Sequence, residues 1–155
     1  MTTKIGIVLI TGFLGSGKTT LLRRLLHDRE LGSRIAILVN EFGQVGLDEE
    51  LIRSEHRTKT LHIKQLSSGC ICCMVQGNLA EALDELCQWS DRKPEMIFIE
   101  TSGISNISEL SYAINMLSQD KPYYTDSVIT VVDAHHAKRA YAEAESTFLD
   151  QLVHA

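Results

Sequence analysis

The sequence predicts an α/β domain built in three layers, a mostly parallel sheet with helices on both faces. Two observations carry that expectation. Several short runs rich in branched residues are apolar throughout rather than alternating, as strands buried on both faces must be. Between them lie segments whose apolar residues recur at helical spacing, so strand and helix take turns along the chain.

Taken in order, Ile5-Gly6-Ile7-Val8-Leu9-Ile10 reads as the first buried strand. A glycine-rich stretch follows, after which Leu21, Leu22, Leu25 and Leu26 mark a helix expected to stop near Leu31-Gly32. Residues 35–39 form a second buried strand. The polar, glycine-containing stretch from Asn40 to about Ser54 is expected to be a mobile loop. Polar–apolar alternation over residues 60–64 predicts a short strand. A helix is expected over residues 78–89, with Leu79, Ala82, Leu83 and Leu86 on one face and Cys87 beside them as a small buried residue. Residues 96–99 and 128–132 supply further apolar strands, with a helix around residues 108–117 between them. From His135 to Ala155 the composition is helical with no stop signal.

At 155 residues the chain fits one compact domain with a real core. Its formal net charge of −5 argues against nucleic-acid binding, which needs a basic surface. No stretch approaches the roughly 20 apolar residues of a membrane span. The start, Met1-Thr2-Thr3-Lys4, has no signal-peptide anatomy, so a cytoplasmic location with reduced thiols is expected.

Gly12-Phe13-Leu14-Gly15-Ser16-Gly17-Lys18-Thr19 has Gly-x4-Gly-Lys-Thr spacing between the first strand and the first helix, the context a phosphate-binding loop requires. Glycines let successive N–H groups turn inward toward phosphate oxygens, and the helix N-terminus adds partial positive charge there. Gly12, Gly15, Ser16 and Gly17 are read as the cradle. Lys18 reaches the β- and γ-phosphates, Thr19 offers a hydroxyl to magnesium, and Thr20 lies within reach of a phosphate. The expected ligand is a purine nucleoside triphosphate with magnesium.

Such a loop needs a carboxylate from a neighbouring strand end. Glu100 directly follows the strand at 96–99, at the sheet edge where open α/β folds bind ligands. Gly103 would then allow close backbone approach to a γ-phosphate, as in a loop that senses hydrolysis. Asp133 holds a similar position after the later strand, where it serves the nucleotide region or caps the next helix. His135 and His136 are read as surface residues.

Gly69-Cys70-Ile71-Cys72-Cys73 places three thiols within four residues. Thiolates favour zinc and related soft metals, and Glu41, His62 or water could complete the shell. Cys70 and Cys73 also have Cys-x-x-Cys spacing suited to disulfide exchange, and buried inert thiols are a third reading.

In order along the chain stand GFLGSGKTT at 12–20, Asn40-Glu41-Phe42-Gly43, Gly69-Cys70-Ile71-Cys72-Cys73 and Glu100-Thr101-Ser102-Gly103. That ordered set closely resembles the CobW-type GTPases, relatives of the UreG and HypB nickel-insertion GTPases, over essentially the whole chain. The resemblance implies a P-loop NTPase fold and slow GTP hydrolysis. It further implies a metallochaperone that carries zinc, cobalt or another divalent ion to a client metalloprotein or a metallocofactor-assembly enzyme. By position, Lys18 and Thr19 would serve phosphate and magnesium, and Glu100 would be the acidic switch residue. Cys70, Cys72 and Cys73 would bind the metal, with Glu41 or Asp48 in a switch-like loop nearby.

Two features depart from the family pattern. The chain ends at Ala155 before any Asn-Lys-x-Asp element, so guanine preference rests on the resemblance. Ser105-Asn106-Ile107 also lacks the Ala-Asp-Pro character common after the switch glycine. Residues 1–155 are therefore expected to be a single nucleotide-binding domain incomplete at its C-terminus. Its open sheet edge would invite pairing with another chain, a homodimer included. The competing readings are a nucleotide- and metal-binding module without turnover, a thiol redox switch at Cys70 and Cys73, and a small-molecule kinase. The last predicts an arginine-rich lid that is not found after the loop.

Overall fold

The computed structural model describes residues 4–27, 34–39, 60–65, 79–88 and 93–155. Its strands are β1 (Ile5–Thr11), β2 (Arg34–Val39), β3 (Thr60–Gln65), β4 (Met96–Glu100) and β5 (Tyr123–Thr130). Among the described residues the helices are α1 (Lys18–His27), α2 (Ala80–Gln88), α3 (Ile107–Leu117), α4 (Ala137–Glu143) and α5 (Glu145–Val153). The five strands lie in the order β3-β2-β4-β1-β5, and every pairing is parallel.

The three layers follow from the period of two along each strand. Ile5, Ile7 and Leu9 of β1 face one side with Ile97 and Ile99 of β4 and Ala36 and Leu38 of β2. There they meet Leu79, Leu83 and Leu86 around α2 and Leu110 and Ile114 of α3. The intervening residues Val8, Ile10, Phe98, Ile35, Ile37 and Val39 face the other side and pack on Leu22 and Leu26 of α1. Burying both faces of a strand demands apolar residues at every position. β1 is buried along its whole length, and Ile7, Leu9 and Ile10 are fully enclosed.

Helix α3 begins where Asn106 caps it, its side chain accepting from the Glu109 N–H. Such a cap satisfies one of the donors a helix start leaves open and contributes about 1 kcal/mol.

Two expectations change. The last strand runs from Tyr123 to Thr130 rather than over 128–132, pairing Ile5 with Tyr123 through Thr11 with Thr130. Its first half, Tyr123-Tyr124-Thr125-Asp126, is too polar to resemble a strand buried on two faces. As the outermost described strand on that side, it buries Tyr123 while Tyr124 and Asp126 stay exposed. A register shift opposite Ile7 and Val8 absorbs Asp126. The stretch after His135 is two helices, parted at Ala144, whose φ of −152° and ψ of 64° are not helical. No glycine or proline marks that break, and contacts made by α5 with α3 and β5 set its direction.

Cys87 is buried in the face shared by α2, as expected. Burial, aided by the nearby Asp84 carboxylate, pushes its thiol from the ordinary 9.0 up to about 11. The folded chain thus holds this proton more tightly than the unfolded one. The resulting stability is fully present below pH 9 and is lost as pH rises through about 11. A Cys87→Ala variant should therefore lose up to about 2 kcal/mol less stability than the parent over that rise. Denaturant midpoints measured on both proteins across this range check it; equal losses would contradict it.

Candidate functional site

The loop between β1 and α1 turns on three glycines with positive φ, Gly12 at 139°, Gly15 at 74° and Gly17 at 99°. Gly12 has the strictest need. A Cβ there would lie 2.2 Å from the carbonyl oxygen of Val131 and 2.7 Å from Ser16 Oγ. The Ser16 N–H donates to Phe13 O at 3.1 Å and closes the turn. Lys18 opens α1 and is buried, its Nζ donating to the carbonyls of Gly12 at 2.8 Å and Phe13 at 3.1 Å. Those bonds hold the ammonium under the curl of the loop.

Sheet order brings Glu100 to the same place. β4 lies beside β1, and Ile10 pairs with Glu100 in the register. The last residue of β4 therefore emerges next to the start of the loop. Thr19 Oγ1 donates to Glu100 Oε1 at 2.5 Å across 81 residues of sequence. The Glu100 side chain is buried at the sheet's C-terminal edge.

Beyond Glu100 the chain turns back over the loop. The Thr101 N–H donates to Ile10 O at 3.0 Å, and Ser105 N–H to Ser102 O at 3.1 Å. Gly103 lies directly on the glycine-rich loop, where a Cβ would sit 2.5 Å from Leu14 N and 2.8 Å from Leu14 Cα. Its lack of a side chain is thus needed for loop-on-loop contact.

Together these residues line a cavity of about 430 Å³ that includes Gly15, Gly17, Lys18, Thr19, Thr20, Glu100 and Gly103. Gly12 and Ser16 are not part of this lining. Leu14 and Ile104, largely exposed at 66% and 57%, form its apolar rim. A second cavity of about 480 Å³ opens on the other side of the loop, among Phe13–Ser16, Val131–Asp133 and α4. The structure thus gathers Lys18, Thr19, Thr20, Glu100 and Gly103 in one place.

Asp133 does not enter the first cavity. Its carboxylate accepts from the N–H groups of His135 and His136 and meets His136 Nδ1 at 2.7 Å, forming the turn that leads into α4. The hydrogen bond with His136 comes first among the causes holding its pKa below the ordinary carboxylate value. His135 and His136 are both exposed. Cys70, Cys72, Cys73, Glu41 and Asp48, together with the His62 side chain, lie outside the described residues. Among the described residues no group of three metal-ligating side chains converges, and no helix is long and apolar enough to cross a membrane.

Sequence reasoning missed Gln151. This residue of α5 is buried at 1% exposure, and its side-chain amide donates to the carbonyls of Gly103 and Ser105 at 3.2 and 3.4 Å. No motif surrounds it, and the 48 residues separating it from Gly103 leave no local signal.

The family profile described as "CobW/HypB/UreG, nucleotide-binding domain" matches residues 6–155. The zinc chaperone CobW of Sinorhizobium sp is 39% identical over 134 residues, covering 84% of this chain and 37% of that protein. The zinc chaperone YjiA of Escherichia coli (strain K12) is 39% identical over 139 residues, covering 86% of this chain and 42% of that protein. The chain thus spans about two fifths of the length of these relatives. The crystal structure of the hydrogenase maturation factor HypB from Archaeoglobus fulgidus superposes with a TM-score of 0.51 at 16% identity, over 98% of this chain and 77% of that one. The likeness is one of fold, that of a P-loop NTPase. With its loop, its parallel sheet and a profile match over nearly all its residues, the chain belongs to the CobW/HypB/UreG nucleotide-binding domain family.

Proposed function

We propose that the chain binds GTP with magnesium, hydrolyses it slowly, and couples nucleotide state to a divalent metal destined for a client metalloprotein. The observation that carries the nucleotide half is the bond from Thr19 to Glu100 beside the buried Lys18. It sets a cation, a hydroxyl and a carboxylate around one cavity at a helix N-terminus. Oxygen donors of this kind suit magnesium. Because Thr19 gives its proton to Glu100, its lone pairs are left to face a hard cation. Thr19, with Glu100 behind it, would hold the ion, which when bound neutralises charge on the β- and γ-phosphate oxygens.

Lys18 would move from the loop carbonyls to those oxygens and keep the terminal phosphate oriented. Attack of water on the γ-phosphorus would break its bond to the β,γ-bridging oxygen, yielding GDP and inorganic phosphate. Glu100 is the only carboxylate among the described residues that line the cavity, and Thr19 already engages it. Slow turnover is part of the proposal, and a steady-state assay of phosphate release tests it.

The metal half rests on Cys70, Cys72 and Cys73, with Glu41 as a further ligand, and on the names of the relatives, which are zinc chaperones. Zinc leads on that ground, and cobalt fits the same thiolates less closely. Reciprocal linkage then applies: the nucleotide that strengthens metal binding must itself bind better when metal is present. Titrating zinc into reduced protein, with GDP or a non-hydrolysable GTP analogue bound, tests the coupling. A change of about fivefold or more in zinc affinity is expected, and equal affinities would end the coupled reading. Cys72→Ser should weaken zinc binding and leave nucleotide affinity nearly intact.

A further inference from the structure

We propose that Gln151 is a positioning residue for the triphosphate site: its buried amide holds the loop after Glu100 against the phosphate loop and so ties α5 to the bound nucleotide. The inference rests on the triphosphate reading given above.

The loop between β4 and α3 is fastened at three places. At its entry, Thr101 N–H donates to Ile10 O of β1. At its exit, Asp150 Oδ2 of α5 accepts from the first N–H groups of α3, Ile107 at 2.6 Å and Ser108 at 3.4 Å. Its middle is a turn, closed by Ser105 N–H to Ser102 O and by the paired hydroxyls of Ser102 and Ser105 at 2.9 Å. Gln151 takes hold of that turn from outside. One amide nitrogen has two hydrogens, and it meets two carbonyls, those of Gly103 and Ser105.

Gly103 is also the residue that rests on Leu14 of the phosphate loop. The path from α5 to the phosphate cradle is therefore one side chain and one glycine long. The Gln151 backbone is itself fixed, since Thr130 Oγ1 of β5 donates to its carbonyl. A space-filling role at a site this enclosed would be met by leucine. Burying a primary amide is unfavourable unless its hydrogens are used, and here they are used on the loop.

The arrangement makes α5 a lever. A partner or chain segment that shifts α5 withdraws the amide from Gly103 and loosens the loop that faces a γ-phosphate. A bound triphosphate that orders the loop in turn favours α5 in its present seat.

The test uses the full chain with magnesium and three variants: Gln151→Leu, Gln151→Glu and Thr130→Val. The leucine keeps the volume, the glutamate swaps donor for acceptor, and the valine removes only the hydroxyl that anchors the Gln151 backbone. Affinity for a non-hydrolysable GTP analogue should fall roughly tenfold in the two Gln151 variants and about threefold in Thr130→Val, with GDP affinity changed less than about twofold. Amide hydrogen exchange at residues 103–105 should quicken in all three. Equal losses for both nucleotides would reduce Gln151 to a structural role and overturn the proposal. Unchanged affinities and exchange rates would overturn it too. Should the Gln151 variants not fold, Thr130→Val decides by the same two readouts. Failure of the parent protein to bind either nucleotide would count against the triphosphate reading itself, a separate outcome.

Discussion

Replacing Lys18 with alanine should lower affinity for a purine triphosphate by roughly a hundredfold or more, about 3 kcal/mol, through loss of charge-assisted bonds to phosphate. The size follows from where the ammonium sits. It is buried beneath the loop, held by Gly12 O and Phe13 O, and Lys18 itself lines the cavity beside Thr19 and Glu100. Water screens little at such a site, so the charge acts at greater strength than at a surface. The fold should survive, because the removed bonds end on loop carbonyls and contribute about 1–3 kcal/mol at most. Calorimetric titration with the GTP analogue, beside a thermal melt of each protein, separates lost binding from lost structure. Affinity retained within about threefold would overturn the central reading of the loop.

Gly12→Ala should destabilise the folded chain by about 3 kcal/mol, lowering the melting temperature by roughly 6–12 °C. Two costs add. A φ of 139° belongs to glycine alone, and the new methyl would sit 2.2 Å from Val131 O. That carbonyl cannot simply withdraw, since the N–H of the same residue is bonded to Thr11 O at 2.8 Å. Gly15→Ala provides the control: its φ of 74° carries a penalty of about 1 kcal/mol, but no atom lies within 4 Å of the added carbon. Melting curves should rank the parent first, Gly15→Ala second and Gly12→Ala last. If the two alanines cost the same, the close approach of Val131 has no energetic weight.

The contrast between these glycines shows how far a sequence can be read. Both belong to one spacing pattern, and the pattern locates the loop. Only the pairing of β5 with β1, which carries Val131 past Gly12, makes one of them far less replaceable than the other. The strands β1, β2 and β4 were legible because two-sided burial leaves an unbroken apolar run, a local property. β5 was half legible: a strand at the outside of the described sheet buries Tyr123 but leaves Tyr124 and Asp126 exposed, so its first half carries polar residues. The division of the last helical stretch at Ala144 was not legible at all, because no residue there breaks a helix by itself.

By itself the sequence determined the phosphate loop, the three-layer order of strands and helices, and Glu100 as the carboxylate at a strand end. Each of these is written in neighbours: a spacing, a period, or a charged residue ending an apolar run. The tertiary structure decided the rest. It set Thr19 against Glu100, laid Gly103 on Leu14, and brought Gln151 from the far end of the chain to the loop between them. The reason is physical. Those contacts join segments tens of residues apart, and their partners are chosen by sheet order and helix seating, which no stretch of adjacent residues encodes.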